Sequence, residues 1–352
     1  MAITIRRHVW VLAAVAVLAF STGLFAQQAA KSDPKKQNDD QRREAQAAVA
    51  AVDAVMAGQA AANDLGAAWL HSDVLKSTSN RQYVPFMVSI DPTKVAAGTV
   101  TFYWRATAKG ATITPPAPAN DKDKKNDKNP PKRPDYPYED VSFVPVAPGA
   151  PITISRPMTL PAGDYDVYVV VKEATSAQKA AAPAKMSVVK ASLTVPNLWT
   201  SDLATSSVIV GKVDPLNAQL TPQQQIERPY ALGGMEITPA VDTKLSKKGE
   251  LSVFMVIYNE KGDGGKPNVE VEYNFYQKAA GAEKFFNKTA PQAFNAQTLP
   301  PQFDLAQGHM VQTGQAVPLA SFPEGDYRLE IKVTDKAANK SITRDVNFTV
   351  AP

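Results

Sequence analysis

The sequence predicts an all-β protein in which two tandem immunoglobulin-like β-sandwich modules follow a short alanine-rich helix. Three observations lead to this prediction. The stretch LPAGDYDVYVVVKE at 160–173 returns in closely similar form as FPEGDYRLEIKVTD at 322–335. From residue 83 onward, β-branched and aromatic residues alternate with polar ones at a period of two, which is typical of strands with one buried face. The 28 prolines outnumber the 18 glycines, which favours turns and strand edges over long helices.

The composition is that of a globular protein with two modest cores. The chain has 352 residues, of which 44% are hydrophobic and 20% are charged, and this length fits two domains. The net charge of +4 is small, so the sequence indicates no nucleic-acid partner. The chain has no cysteine, so neither disulfides nor a lipid-modified cysteine can stabilise or anchor it.

The N-terminal segment, residues 1–26, predicts a secretory signal peptide. Arg6 and Arg7 precede an apolar stretch at 9–20 and small residues at 21–26, which is the order of regions in such a signal. We expect cleavage near Ala26–Gln27 and a periplasmic or extracellular location. The alternative is a retained anchor, because the apolar segment is borderline in length for a bilayer. After cleavage we expect no transmembrane segment.

Residues 27–64 predict a linker and a helix. Residues 27–40 are polar and are expected to be disordered. From Gln41 to about Ala62 the chain is rich in alanine, and this pattern predicts a helix that packs on the domain behind it. Its larger apolar side chains share one helical stripe: Val49, Val52, Val55 and Met56.

Residues 65–196 form the first predicted sandwich module. A segment rich in proline, lysine and aspartate at 113–140 interrupts it and is expected to be a flexible insert. The run DKDKKNDK within the insert lacks the glycine and the late glutamate of a calcium loop, so we expect no metal there. The predicted strands of this module are 84–91, 98–108, 141–146, 152–155, 164–174 and 186–195.

Residues 197–352 form the second predicted module, which repeats the plan. A glycine-rich loop at 262–267 separates two of its central strands. The predicted strands of this module are 206–213, 235–241, 250–260, 268–277, 325–335 and 341–350.

The repeated stretch predicts the same turn and penultimate strand in both modules. In the second copy, Tyr327, Leu329 and Ile331 are expected on the dry face, and Arg328 and Glu330 on the wet face. The tyrosine two residues after the glycine is similar to the tyrosine corner of immunoglobulin-like sandwiches, in which the hydroxyl bonds to a nearby backbone group. Two sandwiches in tandem follow from this repetition.

The two copies differ on the wet face. The first places Tyr168 and Val170 where the second has Glu330 and Lys332. Exposed apolar side chains at these positions would need a cover. The candidates are the alanine-rich helix, the other sandwich through the connection that carries Leu198 and Trp199, or an external partner, and intramolecular cover is favoured.

The sequence contains few groups for catalysis. Outside the signal segment the only histidines are His71 and His309, and no nucleophile elbow, zinc-protease motif or P-loop is present. Asp164 and Asp326 could in principle serve a carboxylate-based hydrolase. Because the two occupy the same turn, one in each copy, a structural role as caps of the turn backbone is favoured. We therefore expect no enzyme activity, no cofactor and no metal.

Aromatic side chains are the candidates for binding. Tyr103 and Trp104 are adjacent on one predicted strand and must face opposite sides, while Tyr136 and Tyr138 flank the insert. Such rings can stack on sugars or anchor a protein partner. With the asymmetry described above, the candidate interaction residues are Tyr168, Val170, Trp199, Tyr136 and Tyr138.

Three stretches carry a resemblance to a known family. The order SDLATSSVIVGK, VFMVIYNEKG and FPEGDYRLEIKVTD resembles the C-terminal β-sandwich region of exported acidobacterial proteins described as VWFA-related or GWxTD-containing. RQYVPFMVSIDP at 81–92 is similar to an N-terminal strand region found with such modules. The resemblance covers 65–352 and implies a sandwich fold and export. The chain has neither a G-W-x-T-D motif nor the D-x-S-x-S signature, so no activity linked to them is implied.

The sequence thus predicts a non-catalytic, exported protein-interaction or scaffolding module of the bacterial cell envelope. Its expected partner is an envelope protein or a polysaccharide. A carbohydrate-binding module is the leading alternative, and a carboxylate-based hydrolase is the second.

Overall fold

The computed structural model describes residues 38–111, 136–174, 184–279 and 281–352. The predicted signal peptide, the linker up to residue 37 and residues 113–135 of the predicted insert lie outside the described residues.

The chain forms two compact units. One comprises Asp73–Pro85 and Asn197–Pro352, and the other comprises 38–72 and Phe86–Pro196. The sequence analysis placed 73–85 in the first module, whereas the structure groups this segment with the second. Side-chain hydrogen bonds hold it there, because the Tyr83 hydroxyl donates to the Pro229 carbonyl at 2.9 Å.

The predicted helix is present as α1, Asp39–Met56. The Asn38 side chain accepts from the Gln41 amide and the Gln41 side chain accepts from the Asn38 amide, a reciprocal cap that starts the helix. The helix ends six residues before the predicted end near Ala62. Gly58 adopts a left-handed conformation at φ 94° just after the helix, and the Ala62 carbonyl accepts a bond from the Val188 amide instead of continuing the helix.

The unit with α1 contains a four-stranded antiparallel sheet in the order β5-β4-β7-β8. Residues 86–89 of β3 pair with β1, and β6 also pairs with β3. The first eight strands of the chain are β1 Ala68–Ser72, β2 Leu75–Lys76, β3 Arg81–Ile90, β4 Gly98–Ala108, β5 Glu139–Val146, β6 Ile152–Pro161, β7 Gly163–Glu173 and β8 Met186–Val195. Of these, β2 belongs to the other unit, and β3 belongs only partly to this one.

This unit has three layers. Phe86 of β3 lies 6.2 Å from the rings of both Phe102 and Trp104 of β4, so the two sheets enclose an aromatic core. Trp69 stacks on Phe86 at 5.0 Å. The opposite face of the four-stranded sheet, which carries Tyr103, is covered by α1. The adjacent Tyr103 and Trp104 therefore do face opposite sides.

The predicted end of the insert at residue 140 is wrong. β5 begins at Glu139, and Tyr136 is buried. The physical reason is a contact between the Tyr136 ring and the Arg105 guanidinium, whose Cζ lies 3.8 Å from the ring centroid.

The other unit is a sandwich of two six-stranded sheets, in the orders β11-β12-β10-β14-β20, with β9 on β14, and β13-β22-β21-β17-β18, with β19 on β17. Its remaining elements are the helix α2 Pro222–Glu227, a 3-10 turn at Leu305–Gln307, and the strands β9 Ala204–Thr205, β10 Ile209–Pro215, β11 Ala231–Leu232, β12 Met235–Pro239, β13 Lys244–Ser246, β14 Glu250–Tyr258, β15 Gly262–Asp263, β16 Lys266–Pro267, β17 Val269–Ala279, β18 Ala282–Lys288, β19 Gln292–Phe294, β20 Val311–Pro318, β21 Gly325–Asp335 and β22 Lys340–Ala351.

Alternating side chains from both sheets fill the core of this sandwich. Leu251, Val253 and Met255 of β14 pack with Val271 and Tyr273 of β17. The matching buried positions of β21 are those that the sequence predicted: Tyr327, Leu329, Ile331 and Val333. The all-β prediction is confirmed.

The repeated stretch builds the same local structure in both units. The Tyr165 hydroxyl donates to the Pro161 carbonyl at 3.1 Å, and the Tyr327 hydroxyl donates to the Pro323 carbonyl at 2.8 Å. Both are therefore tyrosine corners. The glycines before them, Gly163 and Gly325, have φ values of 151° and 137°, which explains why glycine occupies both turns.

Candidate functional site: one covered face and two exposed aromatic sites

The acids of the repeated turn have a structural role. The Thr194 hydroxyl donates to Asp164 at 2.5 Å, and the Thr349 hydroxyl donates to Asp326 at 2.6 Å. Each bond joins the penultimate strand to the closing strand of its unit. The prediction of a structural role is supported, although the bond goes to a threonine side chain and not to a turn backbone.

The histidines and carboxylates form no metal site in the described part of the chain, where no group of three or more His, Cys, Asp or Glu side chains could hold an ion. His309 Nδ1 accepts a bond from the Asp304 amide at 2.8 Å, and its ring lies 5.6 Å from the Phe303 ring. His71 lies in β1 and pairs across to Met87. Within the same described residues, no helix is both long and apolar enough to cross a membrane.

The first candidate pair, Tyr168 and Val170, lies beneath α1. Their side chains are 6% and 0% exposed, and Ala48 and Val52 of the helix pack against them. Small helix residues allow the helix to approach the sheet closely. The cover is therefore intramolecular and comes from the alanine-rich helix.

Two ion pairs reinforce this contact. Arg105 of β4, whose side chain is 0% exposed, donates to Asp53 of α1 at 2.6 Å. Lys172 of β7 forms an ion pair with Glu44 of the same helix. Arg105 is buried and Asp53 is 44% exposed, whereas Lys172 and Glu44 are both largely buried. Loss of either acid would leave a buried cation without this partner, which is unfavourable, so both pairs help to fix the position of α1 on the sheet.

Tyr136 and Tyr138 both lie within this unit. The Tyr136 ring packs on the Arg105 guanidinium, and Arg105 Nε also donates to the Tyr103 hydroxyl at 2.8 Å. The Tyr138 ring meets the Tyr165 ring edge-on at 6.2 Å. The rings that the sequence proposed for binding thus support a buried arginine and a tyrosine corner.

Trp199 lies in the other unit and is 38% exposed. Its indole Nε1 donates to the Arg81 carbonyl at 3.0 Å. The Lys76 ammonium lies 4.5 Å from the ring centroid, which is within the range of a cation–π contact. An aromatic side chain that is both partly exposed and held in one orientation is a suitable binding group.

Asn259 organises the loop that carries Trp199. Its Oδ1 accepts from Lys76 Nζ at 2.8 Å, and its Nδ2 donates to the carbonyls of Leu198 and Asp202 at 3.1 and 3.0 Å. These bonds hold the loop on both sides of Trp199. The residue has a left-handed backbone at φ 62°, a conformation that asparagine tolerates better than most residues.

Glu260 adds a titratable group next to Asn259. Burial raises the pKa of Glu260 to about 7, and the nearby charge of Asp335 adds to this, against backbone hydrogen bonds and the charge of Lys76. The Oε1 atom of Glu260 is buried and has no hydrogen-bond partner among the described residues. Burial lowers the pKa of Lys76, while the charge of Glu260 acts in the opposite direction.

A second exposed aromatic site was missed by sequence reasoning. Phe285 of β18 is 52% exposed, and its ring meets the Tyr276 ring of β17 edge-on at 5.9 Å. The Arg328 guanidinium of β21 lies 4.5 Å from the Tyr276 ring centroid. The sequence analysis placed Arg328 on the wet face of its strand, which was the one indication of this site. It did not predict β18, because a bulge at the Phe275/Tyr276 step breaks the register in which β18 pairs with β17.

The comparisons with known proteins give no family. No protein-family model and no curated protein matches the chain. Among solved structures, the chain is similar to native E. coli alpha-2-macroglobulin at 9% identity and a TM-score of 0.21, over 80% of this chain and 16% of that one. It is also similar to Salmonella alpha-2-macroglobulin reacted with methylamine, at 10% identity and a TM-score of 0.18, over 81% and 16%.

A third similar structure is pT26-6p, at 11% identity and a TM-score of 0.18, over 90% of this chain and 73% of that one. The chain spans 16% of the length of the two alpha-2-macroglobulin chains. TM-scores this low carry no argument about the function of this chain.

Proposed function

We propose that this protein is a non-catalytic, exported interaction module of the bacterial cell envelope, and that it binds another protein through Trp199. One observation carries the proposal. Trp199 is 38% exposed, although its indole is hydrogen-bonded and Lys76 lies against its ring.

The geometry supports a protein contact at this position. Tryptophan is among the residues that most often dominate the binding energy of protein interfaces. Because the ring is already held by Arg81 and Lys76, little side-chain freedom is lost when a partner binds. Asp202, on the same loop, forms an ion pair at 2.7 Å with Lys340 at the start of β22, and this pair supplies a polar rim of the kind that surrounds such anchors.

Export and the absence of catalysis belong to the same proposal. The basic, apolar and small-residue order of residues 1–26 supports export. The resemblance of 81–92 and the second module to exported acidobacterial sandwich proteins supports a location in the envelope. The hydrogen bonds that Asp164 and Asp326 accept from strand threonines support a structural role for both acids, and so support a non-catalytic function.

The test is a quantitative capture experiment. The immobilised full chain, its Trp199→Ala variant and a control Val241→Ala variant are each incubated with the envelope fraction of the source cells. Val241 is a suitable control because it is 55% exposed and lies in the same unit. We expect Trp199→Ala to capture at least about tenfold less of a specific protein, the loss of about 1.4 kcal/mol or more that an interface anchor shows.

Val241→Ala should capture the same protein as the unmodified chain. Equal capture by Trp199→Ala, with an unchanged melting temperature, would contradict the proposal. If soluble sugars instead quench or shift the tryptophan fluorescence of the unmodified chain but not that of Trp199→Ala, and no protein is captured, the carbohydrate-binding alternative replaces the protein-binding one.

A further inference from the structure

The outer face of the β18-β17-β21-β22 sheet carries four side chains in register. Phe285 is directly opposite Tyr276, Tyr276 is opposite Arg328, and Arg328 is opposite Asn347. Neighbouring strands lie about 4.8 Å apart, so this row extends roughly 15 Å across the strands. We call these four residues the Phe285 row.

Each end of the Phe285 row has a different chemical character. The Phe285 end presents two aromatic rings. Phe285 is 52% exposed, and the neighbouring Tyr276 is half-buried. The Asn347 end presents polar groups, since Lys278 donates to Asn347 Oδ1 at 2.7 Å. The row therefore joins an apolar surface to fixed hydrogen-bonding groups.

Arg328 is the best-held member of the Phe285 row. Its guanidinium donates to Glu283 at 2.9 Å, to Glu330 at 3.2 Å and to Asp345 at 2.6 Å, and its side chain is 19% exposed. These contacts orient three carboxylates around the rings. Because a carboxylate oxygen accepts more than one bond, each acid retains capacity for a further donor.

We propose that the Phe285 row binds a neutral polysaccharide. The C–H face of a sugar ring would pack on Phe285 and reach the exposed edge of Tyr276, and hydroxyl groups would donate to Glu283 and Asp345 and bond to the Asn347 amide. This binding site is separate from the protein contact assigned to Trp199 and does not depend on it.

The charge pattern favours a neutral carbohydrate over the other classes of ligand. Cations and carboxylates alternate on this face, as in the Lys332–Glu272 pair at 3.5 Å, so no single-sign field attracts a charged polymer. The cores of protein interfaces are depleted of Lys, Glu and Asp, because a partner would strip water from them without replacing every bond. Sugar hydroxyls replace that water with equivalent donors and acceptors.

The unit that contains α1, here called the first unit, has a matching face that differs in a way that supports this assignment. There the corresponding outward positions of β7 are Tyr168 and Val170, and α1 covers them. In the second unit Glu330 and Lys332 take those positions, and Phe285 remains half exposed. The first face is therefore covered by an apolar helix surface, whereas the second presents charged side chains beside an exposed ring.

Affinity electrophoresis of the full chain tests the proposal. The gels contain one neutral polysaccharide each (mixed-linkage β-glucan, xylan, mannan or soluble starch) or one acidic polysaccharide (alginate or polygalacturonate). We expect at least one neutral polysaccharide to retard the protein. Phe285→Ala should weaken that retardation at least about fivefold, which corresponds to a loss of about 1 kcal/mol of binding free energy.

The control variants are Val241→Ala, which removes a more exposed side chain from the same unit, and Trp199→Ala. Both should be retarded like the unmodified chain, and Phe285→Ala and Val241→Ala should retain its melting temperature because both side chains are exposed. Retardation by no neutral polysaccharide would overturn the proposal. So would equal retardation of Phe285→Ala, retardation by the acidic polymers alone, or loss of retardation in Trp199→Ala.

Discussion

The contact between α1 and the sheet predicts a large loss of stability for one double substitution. Tyr168→Glu with Val170→Lys gives the first unit the outward residues that the second unit has at Glu330 and Lys332. Tyr168 and Val170 are 6% and 0% exposed beneath α1. The substitution therefore places two charges in an apolar contact, without the partners that buried charges need.

The magnitude follows from the burial. Full burial of one such side chain contributes about 1.5–3 kcal/mol. The total loss is limited by the free energy with which α1 docks, because the helix can leave the sheet and expose both charges to water. We expect the free energy of unfolding of this unit to fall by about 2–4 kcal/mol, which lowers the melting temperature by roughly 5–15 °C for a unit of this size.

Two measurements check this prediction. Differential scanning calorimetry of the full chain reports the melting temperature, and hydrogen exchange reports whether the amides of α1 lose protection. Thr99→Glu is the matched control, because Thr99 lies on the same face of β4 at an exposed position, and its effect should stay within about 0.5 kcal/mol. An unchanged melting temperature with α1 still protected would refute the assignment of the helix as the cover.

Two further predictions concern the second unit. Glu260→Gln should reduce the loss of unfolding free energy that occurs between pH 5 and 8, and it should make the protein more stable above pH 7. The reason is that burial raises the pKa of Glu260 to about 7. The native state therefore keeps a proton that the unfolded state loses at lower pH. Urea unfolding at several pH values measures this, and parallel curves for both proteins would argue against it. Tyr327→Phe should cost about 1 kcal/mol by removing the bond to the Pro323 carbonyl, as measured in urea at pH 7. Tyr276→Phe on the solvent face is its control, and an equal effect of the two changes would count against a tyrosine corner.

The sequence determined the features that depend on neighbours along the chain. Strands β4, β8 and β21 were predicted with the bounds that the structure shows, because the period of two is a local signal. The tyrosine corners were also predictable, since each hydroxyl bonds to a carbonyl only four residues earlier. By contrast, β18 and β20 were missed, because a bulge and a polar composition weaken the same signal.

Only the tertiary structure decided which residues meet across long separations. The sequence showed that Tyr168 and Val170 needed a cover and favoured an intramolecular one, but it did not choose between the helix and the other sandwich. Folding of α1 onto β4 and β7 selected the helix. The Trp199 site joins side chains near residues 76, 199 and 259, and the Phe285 row joins four strands. Such contacts form because strand pairing places distant residues side by side. A local period of two fixes which face a side chain takes, but it does not specify which strands pair.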